Sequence, residues 1–178
     1  MLGSETKGCQ HSLEIGRLLS HELSHFLSLF LSATICHINL GPQNKMDITH
    51  YAEEMKIPFS AICVSRRHTG KSVLINELVL ALVKQKKVDA VIIFSNTALI
   101  NETDYPDFPQ AIKHTYSDAK LQKIIDHQKS TPKEERDIIL IIFDDLLSDA
   151  EARRSNLILG AFVEGRHYGV QPLILSQV

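Results

Sequence analysis

Gly70-Lys71-Ser72 sets a residue without a side chain, a long cation and a hydroxyl side by side. That trio suits a polyphosphate. Successive backbone N–H groups at a helix start make a concave anion site. Glycine lets the backbone come close to the phosphates. The lysine can reach the β- and γ-phosphates of a triphosphate, and the hydroxyl can ligate Mg²⁺. The window Ser65-Arg66-Arg67-His68-Thr69-Gly70-Lys71-Ser72 follows the P-loop pattern G-x-x-x-x-G-K-[ST], with Ser65 where the first glycine is expected. All eight residues are candidate nucleotide contacts, Lys71 with a catalytic role and Ser72 as a metal ligand. Arg66 and Arg67 suit charge stabilisation, but a solvated loop charge suits at least one of them better. The plainer alternative for the whole window is a strand-turn-helix with a surface lysine.

A second candidate lies downstream. Ile138 to Phe143 are six consecutive apolar residues, four of them isoleucine, followed by Asp144 and Asp145. Such a run fits a strand buried on both faces of a parallel sheet. Ligands bind at the C-terminal ends of such strands. Asp144 would hold Mg²⁺, and Asp145 would orient or deprotonate an attacking water, as in a Walker B element. The alternative for the two aspartates is a helix N-cap and a solvated loop.

A third pattern, His21-Glu22-Leu23-Ser24-His25, is a literal H-E-x-x-H. On a helix it would bring two histidines to one zinc ion with Glu22 as base. Ser28 and Leu31 stand where a longer metalloprotease signature wants glycine and histidine, so the zinc peptidase is the weaker reading.

The surrounding elements must position these groups. Residues 1 to 45 form a leader rich in Ser, His and Leu without strand-helix alternation. The apolar run from His25 to Cys36 is too short for a membrane span, which needs about 20 residues, so no membrane role is expected. Met46 is an alternative start, because the pattern becomes regular after it. Residues 47 to 55 read as a lead-in helix. Ile62-Cys63-Val64 is a strand, and Leu74, Leu78, Ala81 and Leu82 recur at helical spacing in a segment reaching about Lys87. Residues 88 to 94 are a second strand, and 96 to 116, with Pro106 and Pro109, read as a loop. Ser117 is an N-cap for a helix with Leu121, Ile124, Ile125 and Gln128 on one face. Beyond the Asp144 strand, Ser148 and Glu151 have capping-box spacing, Leu157, Ile158, Ala161 and Phe162 line a helix face, and Gly165 is its stop. Leu173 to Ser176 is the last strand, leading to Gln177. The order predicts a three-layer α/β/α domain over 46 to 178 with a mainly parallel sheet, and hence a P-loop NTPase fold.

Bulk properties set limits. The chain has 178 residues, 44% apolar and 22% charged, enough for one domain with a core. A formal charge of −2 argues against coating nucleic acid by bulk positive charge. Cys9, Cys36 and Cys63 are too widely spaced for a disulfide framework or cysteine zinc site and fit a reducing, intracellular compartment.

Taken together, SRRHTGKS, IILIIFDD and GRHYGVQPLILSQ resemble the poxvirus-type DNA packaging ATPases of the FtsK/HerA-like group, which also occur in Maverick/Polinton elements. The resemblance covers about residues 57 to 178. It implies ATP and Mg²⁺ as cofactors, and double-stranded DNA as the substrate moved into a viral capsid. It implies a homo-oligomeric ring, capsid or portal partners, and a place inside the host cell where virions assemble. It makes Gln177, at the end of a strand beside the P-loop strand, a γ-phosphate sensor. Arg166 would reach a neighbouring subunit's nucleotide, unless it is only a helix-end cation complementing the dipole. Three features depart from the family: Ser65, Asp145 where a glutamate is common, and a chain ending after the sensor strand, which reads as a truncated domain. A nucleotide-binding module without turnover, or another P-loop enzyme, are the alternatives.

Overall fold

A computed structural model of the chain describes residues 47–66, 69–96, 112–146 and 149–177. The strands are β1 (Ala61–Ser65), β2 (Ala90–Ser95), β3 (Ile112–His114), β4 (Ile139–Asp144) and β5 (Val170–Gln177). They form one sheet in the order β1-β5-β4-β2-β3, and every pairing is parallel. The helices are α1 (Ile48–Glu54), α2 (Lys71–Lys84), α3 (Asp118–Ser130), α4 (Ala150–Arg153) and α5 (Asn156–Glu164). The fold is α/β, a parallel sheet with helices between β1 and β2, β3 and β4, and β4 and β5.

The isoleucine-rich run becomes the middle strand because it can be buried on both sides. All six residues of β4 are buried. Each of the five apolar side chains, Ile139 to Phe143, contributes roughly 1.5–3 kcal/mol by leaving water. Alternation sorts them. Leu140 and Ile142, with Val91, Ile93, Leu173 and Leu175, share one core with Ile75, Leu78, Val79 and Leu82 of α2. On the other face Phe143 stacks on Phe94 at 5.8 Å, and Tyr116 meets both rings edge-on. Leu121 and Ile125 of α3, and Ile158 and Phe162 of α5, are buried as well. By contrast β1 is only partly covered, and Val64 is 45% exposed.

Several boundaries differ from the sequence reading. The stretch 96 to 116 is not all loop, since β3 pairs with β2 through Ile92↔Ile112 to Phe94↔His114. Three residues are too few to show a period. Ser117 occupies the N-cap of α3 but its side chain makes no capping bond; the Asp118 N–H donates to Glu151 instead, at 2.8 Å. Glu151 accepts that bond, and Ser148, its expected capping-box partner, lies outside the described residues. The helix expected there is two, with Asp149 capping α4 and Ser155 capping α5. Gly165 does stop α5, as its C-cap, but in a right-handed conformation that leads into the 3-10 turn Gly165–His167. The left-handed residue is Gly169, with φ 78°. β5 is longer than expected, eight residues including Pro172.

Candidate nucleotide-binding site

Strand direction brings the sequence candidates to one edge. In a parallel sheet all strands end together, and here those ends are Ser65, Ser95, Asp144 and Gln177. The register pairs Ser65 with Gln177, Asp144 with Leu175, and Ser95 with Asp144. Period-two alternation puts Asp144 on the same face as Ile142, which is the α2 face. That is why a residue 73 positions after Lys71 can meet it. Lys71 Nζ lies 3.6 Å from Asp144 Oδ1, with side chains 7% and 12% exposed.

The loop between β1 and α2 is built for close approach. Gly70 caps α2 in the left-handed region, φ 82°, and a Cβ added there would meet nothing within 4 Å. The open space belongs to whatever the loop receives. Thr69 Oγ1 donates to the Arg66 carbonyl at 2.7 Å, which tightens the loop. The first intrahelical bond runs from Leu74 N to Gly70 O, so the N–H groups of Lys71, Ser72 and Val73 have no partner inside α2. No acidic residue sits in that first turn to compete for them. Ser72 is exposed there, and Arg66 is exposed at the start of the loop. Arg67 and His68 lie outside the described residues, as do the H-E-x-x-H motif and the whole leader.

Two buried polar atoms of this edge make no hydrogen bond: Lys71 Nζ and Ser65 Oγ. A buried ammonium held only by an ion pair at 3.6 Å is poorly satisfied, because charged donors normally find full hydrogen bonding inside a protein. Phosphate oxygens over the α2 N-terminus would supply what Lys71 lacks. For Mg²⁺, Ser72 and Asp144 offer one hydroxyl and one carboxylate. That is a fitting donor set, since Mg²⁺ takes few protein ligands and fills its shell with water and phosphate oxygens. Among the described residues no group of three or more His, Cys, Asp or Glu is arranged to hold a metal alone.

Asp145 follows at the turn. Its φ is 53°, and its N–H donates to the Leu175 carbonyl at 3.1 Å, extending the β4–β5 ladder by one bond. Aspartate tolerates the left-handed region better than most residues. The turn swings the chain off the sheet immediately after Asp144.

Arg166 is not with the others. It is exposed on the 3-10 turn before β5, with Nε 3.4 Å from His167 Nε2. Eight residues of strand at about 3.3 Å each separate that turn from Gln177, so Arg166 sits roughly 25 Å away at the opposite edge. Within one chain it takes no part in the site.

Sequence reading missed two neighbours. Ser95, 1% exposed, lies beside Asp144 by register, and Asn96 Nδ2 donates to Asp149 Oδ2 at 3.3 Å. The Asp149 carboxyl is held below its ordinary value, chiefly by the Ala152 N–H it accepts and also by Asn96. The polar pair ending the second apolar run was the available signal.

Fold and loop together define an α/β domain in which a glycine-started helix follows the first strand. The sequence matches no known protein-family model and no curated protein. Among solved structures the chain is similar to the DNA-packaging ATPase B204 of Sulfolobus Turreted Icosahedral Virus, at 18% identity and a TM-score of 0.45, over 66% of this chain and 65% of that one. It is similar to the genome packaging NTPase B204 of Sulfolobus turreted icosahedral virus 2 in complex with ATP-gammaS, at 21% identity and a TM-score of 0.47, over 66% and 64%. The cytoplasmic domain of the Type VII Secretion ATPase EccC of Thermomonospora curvata gives 17% identity and a TM-score of 0.45, over 66% and 18%. The chain thus spans less than two thirds of the length of each. These likenesses are of architecture alone, and the chemistry rests on the residues above.

Proposed function

We propose that the chain is an Mg²⁺-dependent ATPase that drives double-stranded DNA into a viral capsid. The single observation behind the ATPase step is the buried Lys71 ammonium, without a hydrogen bond, 3.6 Å from Asp144 at the start of α2. Without nucleotide, Lys71 neutralises Asp144. With nucleotide bound, Lys71 would turn to the phosphates, and Asp144 and the Ser72 hydroxyl would be the residues to hold Mg²⁺. When bound there, Mg²⁺ would neutralise phosphate charge. Asp145 orients and accepts a proton from the attacking water. Gln177, level with Ser65 on the adjacent strand, reports the γ-phosphate. Ser65 to Ser72 cradle the phosphates through their backbone. Catalysis is positioning and charge stabilisation rather than covalent chemistry.

The motor step comes from the family resemblance of the three sequence segments. On it the chain acts in a homo-oligomeric ring with capsid or portal proteins, at the site of virion assembly in the cell. Arg166, far from its own site, belongs to this part of the proposal as a contact to a neighbouring subunit's nucleotide.

The test is phosphate release from ATP with Mg²⁺, with and without double-stranded DNA, for the unsubstituted chain and Lys71→Ala. Turnover that DNA stimulates and Lys71→Ala abolishes supports the proposal. Folded protein that binds ATP but releases no phosphate refutes it and leaves a nucleotide-binding module.

A further inference from the structure

Tyr116 carries no role in the site above, yet it stands directly behind it. The residue links β3 to α3 and is 6% exposed. Its ring packs edge-on against Phe94 at 5.5 Å and Phe143 at 6.2 Å. Those residues immediately precede Ser95 and Asp144. Its hydroxyl lies 2.5 Å from Asp118 Oδ1 and 2.7 Å from Ser155 Oγ, and Ser155 Oγ also donates to Asp118 Oδ1 at 2.5 Å. Ser155 Oγ in turn accepts the N–H groups of Leu157 and Ile158 at the start of α5. A few residues earlier, Glu151 accepts the Asp118 N–H, and Asp149 accepts from Asn96.

These bonds have one geometric effect. Segment 149–155 is tied to the start of α3, to Tyr116 and to the end of β2. It is also the far end of the chain that leaves β4 through Asp145. The near end is held by the Asp145 N–H on Leu175. Asp145 therefore follows a strand whose Phe143 is packed by Tyr116, and its own N–H is held on the neighbouring strand. The phenol is protonated at neutral pH with or without a shift, and burial and then the Asp118 carboxylate raise its pKa further.

We propose that Tyr116 is a positioning residue for Asp144 and Asp145, its ring seating Phe143 and its hydroxyl anchoring segment 149–155. This rests on the ATPase reading above. A displacement of about 1 Å at a reacting group can cost on the order of a hundredfold in rate. Loss of the hydroxyl alone is expected to cost less.

The experiment compares the full chain with Tyr116→Phe, which keeps the ring. Expected are a fall in kcat for Mg-ATP of about tenfold and ATP affinity unchanged within about twofold. The gain in affinity for a non-hydrolysable ATP analogue on adding Mg²⁺ should also shrink. Asp118→Asn, which keeps the volume of the acceptor, should show the same split and stands in if Tyr116→Phe does not fold. Lys87→Met is the control for mere stability: it lowers Tm at the other end of the sheet and leaves kcat unchanged. Unchanged kcat and unchanged Mg²⁺ gain in Tyr116→Phe, whatever its Tm, overturn the inference while the ATPase reading stands. An unsubstituted chain that binds no nucleotide overturns both, and is seen without any variant.

Discussion

The two ends of the sheet treat their polar groups differently. At the N-terminal ends of the strands the polar side chains are occupied. Lys87 Nζ donates to the carbonyls of Ala52, Glu53 and Met55 at 2.8, 2.6 and 2.9 Å, closing the C-terminus of α1. Asp89 accepts the Ile138 N–H, and Gln128 donates to the Asp137 carbonyl. Arg136 gives two nitrogens to the carbonyls of His167 and Thr131, though its Nε has no partner. At the C-terminal ends, Lys71 Nζ and Ser65 Oγ are buried without hydrogen bonds, and the first N–H groups of α2 have no partner inside the helix. At one end nearly all of these groups are hydrogen-bonded, Arg136 Nε excepted; at the other a buried ammonium and a buried hydroxyl are not. A fold can carry such a deficit only where the rest is well bonded, since an unsatisfied buried group costs about 1–3 kcal/mol.

The sharpest way to break this contrast is Lys71→Ala. Turnover should drop by on the order of a hundredfold or more, the scale for removing one donor that stabilises developing charge. Steady-state phosphate release measures it. A chain that keeps its rate without the ammonium would show that the deficit at this end is not functional.

The two left-handed glycines make a matched pair. At Gly169, φ 78°, a Cβ would come within 2.6 Å of the Asp137 carbonyl and 3.1 Å of Gln128 Nε2. Gly169→Ala should therefore destabilise by about 2 kcal/mol or more, from backbone strain plus the clash, and leave ATP affinity per folded molecule unchanged. At Gly70, φ 82°, the space is open. Gly70→Ala should cost about 1–2 kcal/mol of strain but weaken ATP binding, because the methyl enters the space for phosphate. Denaturant unfolding and nucleotide titration on both variants separate the two effects; equal losses of affinity would dissolve the comparison.

Lys87→Met should lower stability by about 1.5–3 kcal/mol, the scale for hydrogen bonds from a charged donor. Thermal unfolding reads it, and kcat should not move.

The smallest effect is alkaline. Tyr116 and Tyr168 both have pKa values raised above the ordinary 10.0, in each case first by burial. Between 10.0 and their folded values these phenols are protonated in the fold and ionised in the unfolded chain. The unfolded state then binds fewer protons, so stability falls as pH rises above 10. Tyr116→Phe should flatten the decline. Denaturant midpoints at pH 9, 10 and 11 (about one unit either side of the ordinary phenol value) test it, and identical slopes would speak against the shift.

Much of this was legible along the chain because it is local. Gly70-Lys71-Ser72 between an apolar run and a helical repeat needs only a dozen residues to be read. The isoleucine strand ending in Asp144 and Asp145 is equally self-contained. The Tyr116–Asp118–Ser155 network was not legible, since its members are 39 residues apart and each is ordinary alone. β3 escaped because three residues show no period, and the split of α4 from α5 because Asp149 and Ser155 are both good caps within one helical pattern.

Sequence alone determined the types of group available for phosphate and metal, and the alternation that makes strands and helices. Side-chain chemistry and period are local properties. Only the tertiary structure decided which groups meet. Parallel strands in register brought Ser65 level with Gln177 and Asp144 beneath Lys71, because one sheet end collects every strand terminus. The same directionality carried Arg166 to the opposite edge, a distance that no spacing along the chain encodes.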